Sequence, residues 1–196
     1  MKYPLSLRFK LLALAPQIYV EDADGQTACY VKQKLFRLKE KVEVYHDATR
    51  RSLLSTIAAD RIIDWSARYS FADPSGQVFG SVGRRGMRSL WSAHYDVFLG
   101  SNSQPAFEIR EINPIAKIVD SFIGGIPLIG VLSCYFFHPT YQASRPDGTA
   151  VMRLTKRPSF FERRFSIEHE SDLSDTEELT LLLSYMMLTL LESRRG

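Results

Sequence analysis

The 196-residue sequence has few residues of the kinds that build disulfides or metal centres. It has two cysteines, Cys29 and Cys134, which are far apart and form no CxxC pair. The four histidines, His46, His94, His138 and His169, show neither HxH nor HxxxH spacing. We therefore expect two buried free thiols in a reducing compartment and no metal site, with the histidines in turns or on strand faces.

Catalytic and cofactor motifs are also missing. The sequence contains no GxSxG, P-loop, HExxH or dinucleotide fingerprint. The glycine-rich stretch 80–86 suggests a phosphate loop, but no helix is predicted after it. Glu108 and Glu111 stand at odd spacing on a predicted strand, which places them on opposite faces and makes them a poor acid/base pair. The expectation is a protein that is not an enzyme and uses no cofactor.

Long uninterrupted apolar runs are scarce. The N-terminal run Leu11–Ala15 is shorter than the core of a secretion signal, so a cytoplasmic protein is expected. Residues 118–137 carry one charge, Asp120, but contain Gly124-Gly125 and Pro127. Asn113 and Pro114 are strong helix-start residues, so we predict a short helix near 113–123, then a loop and a strand. A membrane segment over 118–137 is the alternative.

Charge is unevenly distributed along the chain, whose net charge is +3. Residues 1–160 carry 21 Lys and Arg against 14 Asp and Glu, whereas residues 161–196 carry 4 against 8. A basic body suits an anionic partner. A modest excess of charge also keeps a protein soluble, and both interpretations stay open.

The clearest element is the C-terminal stretch 176–192, TEELTLLLSYMMLTLLE. Its middle is apolar on every side, so as a helix it must be surrounded by protein or lipid. The run Leu179–Leu191 is too short to span a bilayer, which needs about 20 residues. Ser174 and Glu177 have capping-box spacing. We predict a buried central helix over 175–192, with acidic residues at its start and Arg194 and Arg195 beyond its end.

The rest of the chain repeats short strands around Gly-containing turns. Trp65–Phe71 recurs as Trp91–Val97, and the turn at Gly76 recurs at Gly25 and Gly148. Strands are predicted near 6–13, 17–21, 27–36, 41–46, 52–58, 65–72, 77–83, 91–99, 105–111, 134–143, 149–155 and 160–168. About twelve antiparallel strands and one wholly apolar helix predict a single domain, 1–196: a mainly β, closed barrel around the helix.

These segments resemble a known family. The stretches KLFRLKEKVEVYHD and WSARYSFADPSGQVFGSV, with PSFFERRFSIE and the terminal apolar helix, resemble the LURP-one-related proteins. That group is related to the Tubby C-terminal domain and the phospholipid scramblases. The resemblance implies a twelve-stranded antiparallel barrel around a C-terminal helix. It also implies a link to membrane lipids, since Tubby domains bind phosphoinositide head groups and scramblases act at membranes.

Three basic stretches are the candidate binding residues for an anion or a lipid head group. They are Arg84, Arg85 and Arg88; Lys32, Lys34 and Lys39, in a strip with Arg37 and Lys41; and Arg153, Lys156 and Arg157. The alternative interpretation is that these are solvated outer faces of strands. No nucleic-acid-binding signature is present, so nucleic acid is not expected as a partner.

The functional hypothesis is a non-catalytic binding or scaffold module that associates with anionic, phosphoinositide-like membrane surfaces from the cytoplasm. A protein-interaction or structural domain without a lipid role is the first alternative. Scramblase-like lipid translocation is the second alternative.

Overall fold

The computed structural model describes residues 1–10, 17–32, 41–60, 68–85, 94–112, 139–159 and 162–193. These residues form twelve strands and one helix. The strands are β1 (Leu5–Lys10), β2 (Gln17–Glu21), β3 (Thr27–Lys32), β4 (Val42–Tyr45), β5 (Leu53–Ala59), β6 (Arg68–Ala72), β7 (Val78–Arg84), β8 (His94–Leu99), β9 (Phe107–Glu111), β10 (Thr140–Ser144), β11 (Ala150–Arg157) and β12 (Arg163–His169). The helix is α1 (Asp175–Ser193). The predicted fold class is confirmed.

The strands close into one antiparallel barrel in which each strand pairs with its neighbours in the chain. Closure is made by β1 and β12, with Leu5 opposite Ile167 and Leu7 opposite Phe165. Because the closed sheet contains no edge strand, its backbone groups pair within the wall.

The core is made where the inner faces of the strands meet the helix. Strand residues alternate, so that Leu5, Leu7 and Phe9 are buried while their neighbours face outward. Between Leu181 and Leu188 no helical residue is more than 1% exposed. The β-wall therefore surrounds the helix on all sides, as its uniform apolarity predicts.

The buried hydroxyl groups of the helix donate hydrogen bonds inside the barrel. Thr180 donates to the Thr176 carbonyl and Ser184 to the Thr180 carbonyl, each at 2.7 Å. The buried Tyr185 hydroxyl donates to the Met152 carbonyl of the wall at 2.8 Å. These bonds offset the cost of burying hydroxyl groups in an apolar core.

One wall glycine is needed for the helix to approach. A Cβ on Gly80 of β7 would lie 2.6 Å from Thr180 Cγ2 and 2.8 Å from its Oγ1. Gly83, on the same strand, has its nearest such neighbour at 3.8 Å. The close contact at Gly80 fixes the early part of the helix against β7.

The repeated glycine turns are also as predicted. Gly25, Gly76 and Gly148 all have positive φ angles, between 77° and 90°, which glycine adopts without steric cost. An aspartate comes before the glycine in each turn. Asp22 and Asp73 open their turns, and Asp147 directly precedes Gly148.

Several sequence-based predictions fall outside the described residues. These are the helix near 113–123, the apolar segment 118–137, Cys134 and the arginines 194–195. Cys29 is a buried free thiol, as predicted, and burial raises its pKa to about 12. Among the described helices, none has the length and apolarity to cross a membrane.

Candidate functional site: the basic mouth of the barrel

The alternation of strand directions sorts the connections between two ends of the barrel. Since successive strands are antiparallel, every odd-numbered strand ends at one mouth and every even-numbered strand begins there. Helix α1 starts at the opposite mouth, where Glu177 receives a hydrogen bond from Arg145 in the β10–β11 turn at 2.9 Å. The helix therefore runs in the same direction as the odd-numbered strands.

The mouth where the odd-numbered strands end is strongly basic. We call it the basic mouth. Its described residues are 10, 17, 32, 41–42, 59–60, 68, 84–85, 94, 111–112, 139–140, 156–159 and 162–163. Nine of them are cationic: Lys10, Lys32, Lys41, Arg68, Arg84, Arg85, Lys156, Arg157 and Arg163. Three are acidic: Asp60, Glu111 and Glu162.

The cations form an inner and an outer group. Arg84, Lys156 and Arg163 are opposite Tyr95, Phe165 and Phe9 in the register, so they belong to the inward-facing rows of the wall. They add a polar layer to the inside of the barrel at its end. Lys10, Lys32 and Lys41 are exposed.

Most of these cations are not neutralised by a carboxylate. Among the described residues, no ion pair is formed by Lys10, Lys32, Lys41, Lys156 or Arg163, whereas Arg157 pairs with Glu168 at 3.2 Å. The Lys10 ammonium lies 4.9 Å from the ring centre of Tyr19. A surface with this many uncompensated cations attracts anions over a Debye length.

The basic mouth unites part of each stretch that the sequence singled out. Arg84 and Arg85 come from β7, Lys32 from β3, and Lys156 and Arg157 from β11. Arg153 lies elsewhere, in the middle of the outer wall, where it pairs with Glu170 at 2.6 Å. Arg88, Lys34, Arg37 and Lys39 lie outside the described residues.

Sequence reasoning missed Lys10, Arg68 and Arg163 as members of the same group. Lys10 and Arg68 have no cation directly beside them in the sequence. Arg163 is followed by Arg164, but Arg164 is exposed and pairs with Glu162, so the pair of arginines does not mark the mouth. They are identified by the direction of the strand on which they lie. A cation at the end of an odd-numbered strand, or at the start of an even-numbered one, belongs to this mouth.

The opposite mouth, which we call the turn mouth, is acidic and highly hydrogen-bonded. It comprises residues 1–4 and 170–178 with the turns 22–26, 46–52, 73–77, 100–106 and 145–149. Asp22, Asp47, Asp73 and Asp147 each accept a backbone N–H within their own turn. Side-chain hydrogen bonds from Thr49 and Ser75, followed by the backbone bonds, lower the pKa of Asp47 and Asp73. The Thr149 backbone N–H is the main cause that lowers the pKa of Asp147.

The helix start completes the turn mouth. The Ser174 backbone N–H donates to Glu177 at 2.9 Å, and the Glu177 N–H donates to Ser174 Oγ at 3.4 Å, so the predicted capping box is present. Burial alone would raise the pKa of Glu177. Hydrogen bonds from Ser174 and Arg145 outweigh burial and lower it. The helix dipole also favours acids at this end and cations at the other.

A second charged group lies on the outer wall beside the basic mouth. Arg85 Nη1 is 3.0 Å from Glu108 Oε1, and Arg85 Nε is 3.3 Å from Asp96 Oδ2. His94 Nε2 is 3.5 Å from Glu108 Oε2, and Arg110 also pairs with Glu108. Burial, followed by the nearby Arg110 charge, lowers the pKa of His94. Glu108 faces outward and Glu111 is buried, as their odd spacing predicts.

A cavity of about 370 Å³ adjoins this group, lined in part by Glu108, Arg110, Gln142 and Ser144. Two of its lining side chains are bonded to carboxylates: Arg110 to Glu108, which also lines the cavity, and Gln142 to Glu170. Arg145, also in the lining, is bonded to Glu177. Arg110, Gln142 and Arg145 of the lining are therefore already engaged by carboxylates.

Together, the fold and the basic mouth define a class: a closed twelve-stranded barrel filled by its own C-terminal helix, with its charges separated along the helix axis. Comparison with known proteins agrees with the fold. The X-ray structure of the Arabidopsis thaliana protein AT5G01750 matches with a TM-score of 0.53 and 15% identity, over 100% of this chain and 94% of that one. At this identity the likeness concerns the fold alone. No protein-family model and no curated protein matches the chain.

Proposed function

We propose that this chain is a non-catalytic binding module whose basic mouth docks on anionic phospholipid surfaces. The observation that carries the proposal is the meeting of cations from six strands and their flanks at one mouth, five of them without a carboxylate partner among the described residues. The resemblance in sequence pattern to LURP-one-related, Tubby and scramblase proteins supports the same class of ligand.

The structural alternative is that the cations serve the helix dipole. Cations near a helix C-terminus stabilise it by about 0.3–1 kcal/mol, and the effect fades within the last turn. One or two cations near the last turn are enough to stabilise the helix in this way. Lys10, Lys32 and Lys41 lie on the exposed rim of the wall, where the dipole gives little reason for them.

The two groups of cations suit two parts of a lipid surface. The exposed lysines provide attraction to the whole anionic surface, worth about 1 kcal/mol for each cation near it. The inward-facing Arg84, Lys156 and Arg163 offer hydrogen-bond donors to a phosphate that enters the mouth. A phosphoinositide-like head group has both the charge and the phosphate oxygens for this arrangement.

Vesicle co-sedimentation tests the proposal. The native chain is expected to bind phosphatidylcholine vesicles that contain phosphatidylserine and not to bind vesicles of pure phosphatidylcholine. It should dissociate from the acidic vesicles as the salt concentration rises. The double variant Lys10→Gln, Lys32→Gln loses two rim charges and is expected to bind about 30-fold more weakly. The matched control Lys2→Gln, Arg51→Gln loses the same charge from the turn mouth and should bind like the native chain.

Three outcomes contradict the proposal: equal binding to neutral and acidic vesicles, no binding to either, or equal weakening in both double variants. Recovery of one stoichiometric protein partner in the absence of lipid would favour the protein-interaction function instead. Tighter binding when phosphatidylserine is replaced by a phosphoinositide at equal total charge would assign the inner cations to head-group recognition.

A further inference from the structure

The group on the outer wall beside the basic mouth has a composition that the lipid proposal does not use. His94 and Asp96 are two residues apart on β8, so both side chains lie on its outer face. Glu108 of β9 is directly opposite Asp96 in the register. One ligand atom from each of the three lies within 4.8 Å of the others.

We propose that His94, Asp96 and Glu108 form a binding site for a divalent transition-metal ion, with Zn²⁺ as the probe. One imidazole nitrogen and two carboxylate oxygens are a donor set that Zn²⁺ accepts, and three protein ligands leave a coordination position open. Ca²⁺ and Mg²⁺ prefer ligands that are all oxygen, so the histidine favours the transition metal.

Asp96 supplies a second, independent observation. Its Oδ1 atom is buried and accepts no hydrogen bond from any described residue, although the side chain lies in a strongly charged setting. A buried acceptor without a donor costs free energy. A cation held between Asp96 and its two neighbours would satisfy that oxygen.

The two arginines of the group determine how such a site would work. Arg85 pairs with Asp96 and Glu108, and Arg110 pairs with Glu108, so they balance the carboxylates when no ion is bound. Their side chains are 50% and 62% exposed, and they can move away without uncovering the core. A metal ion therefore competes with Arg85 for the carboxylates, and binding releases Arg85 at the edge of the basic mouth.

Calorimetric titration of chelator-treated protein with Zn²⁺ tests this inference, which does not depend on lipid binding. We expect one Zn²⁺ per chain. His94→Ala should weaken binding by more than the roughly 10- to 100-fold that loss of a supporting partner costs. His46→Ala, an exposed turn histidine, is the matched control and should leave the affinity unchanged. Arg85→Met should tighten binding, because it removes the competing cation.

The inference is overturned by an absence of saturable Zn²⁺ binding, by equal losses in the two histidine variants, or by tighter binding of Ca²⁺ than of Zn²⁺. Weaker binding in Arg85→Met would also contradict it. If circular dichroism shows that His94→Ala is unfolded, Asp96→Asn provides the same test with a nearly isosteric side chain, and unchanged affinity there counts against the site.

Discussion

The two mouths of the barrel differ in the sign of their charged residues and in how many of those charges have partners. At the turn mouth, aspartates accept backbone hydrogen bonds within tight turns and a capping box starts the helix. At the basic mouth, lysines and arginines end the strands, and five of the described ones have no carboxylate partner. The charges of the first mouth stabilise the fold, whereas those of the second oppose each other. This difference is the basis of the proposal that the basic mouth binds an anionic ligand.

The largest effect on stability should come from filling the close contact between wall and helix near the turn mouth. Gly80→Ala brings a Cβ within 2.6 Å of Thr180 and is expected to cost about 1–3 kcal/mol in the free energy of unfolding, measured with urea. Gly83→Ala on the same strand has room for its Cβ and is the control.

The reason for the Gly80 effect can be checked separately. In a Thr180→Ala background the obstructing atoms are absent, so adding Gly80→Ala should cost much less than it does in the native chain. Equal costs in the two backgrounds would show that Thr180 is not the cause.

The capping box should contribute a smaller, pH-dependent amount. Glu177→Gln is expected to lower the unfolding free energy at pH 7 by about 0.3–1 kcal/mol, since the charge near the helix start is lost. The folded state lowers the pKa of Glu177 below 4.5. Its contribution is therefore present above pH 4.5 and disappears as the pH falls through the lower, folded-state value.

Urea unfolding of both proteins across this pH range measures the effect. The difference between native and Glu177→Gln should shrink in acid. Asp172→Asn, which removes the same charge from a neighbouring position outside the helix, should show a smaller difference at pH 7. A Glu177→Gln difference that stays constant with pH would contradict the assignment.

The smallest effect on stability should be at the basic mouth. Lys10→Gln with Lys32→Gln is expected to change the unfolding free energy by no more than about 0.5 kcal/mol, because neither lysine forms an ion pair with a described residue. Thermal unfolding measures this with the same protein that is used for vesicle binding. A large loss of stability would mean that the lysines hold the fold together, and the comparison of the two mouths would fail.

Much of the fold is predictable because its signals are local. The helix, predicted over 175–192, is observed at Asp175–Ser193, since its apolarity and its capping residues lie within the segment itself. The turns at Gly25, Gly76 and Gly148 are equally local. The candidate site is different: Arg85 is neutralised by Asp96 and Glu108, which belong to other strands. Pattern reading reveals a basic residue but not the carboxylates that the fold brings beside it.

Arg153 also shows that residues close in the sequence can lie apart in the fold. It stands three residues before Lys156 in the sequence and looks like part of one patch with it. The strand separates them, because Arg153 is in the middle of the outer wall and Lys156 is on an inward-facing row at the mouth. Glu108 is likewise far from His94 in the sequence, so scanning histidine spacing alone does not find their cluster.

The central helix has a consequence for biosynthesis. It follows all twelve strands in the chain, so a ribosome delivers the residues that fill the barrel only after it has made the wall. Until then, the inward-facing side chains of the described strands lack the helix that covers them in the folded protein. A chain shortened before residue 175 is therefore expected to expose that inner face and to aggregate, since the nineteen-residue helix supplies the core on which the wall packs.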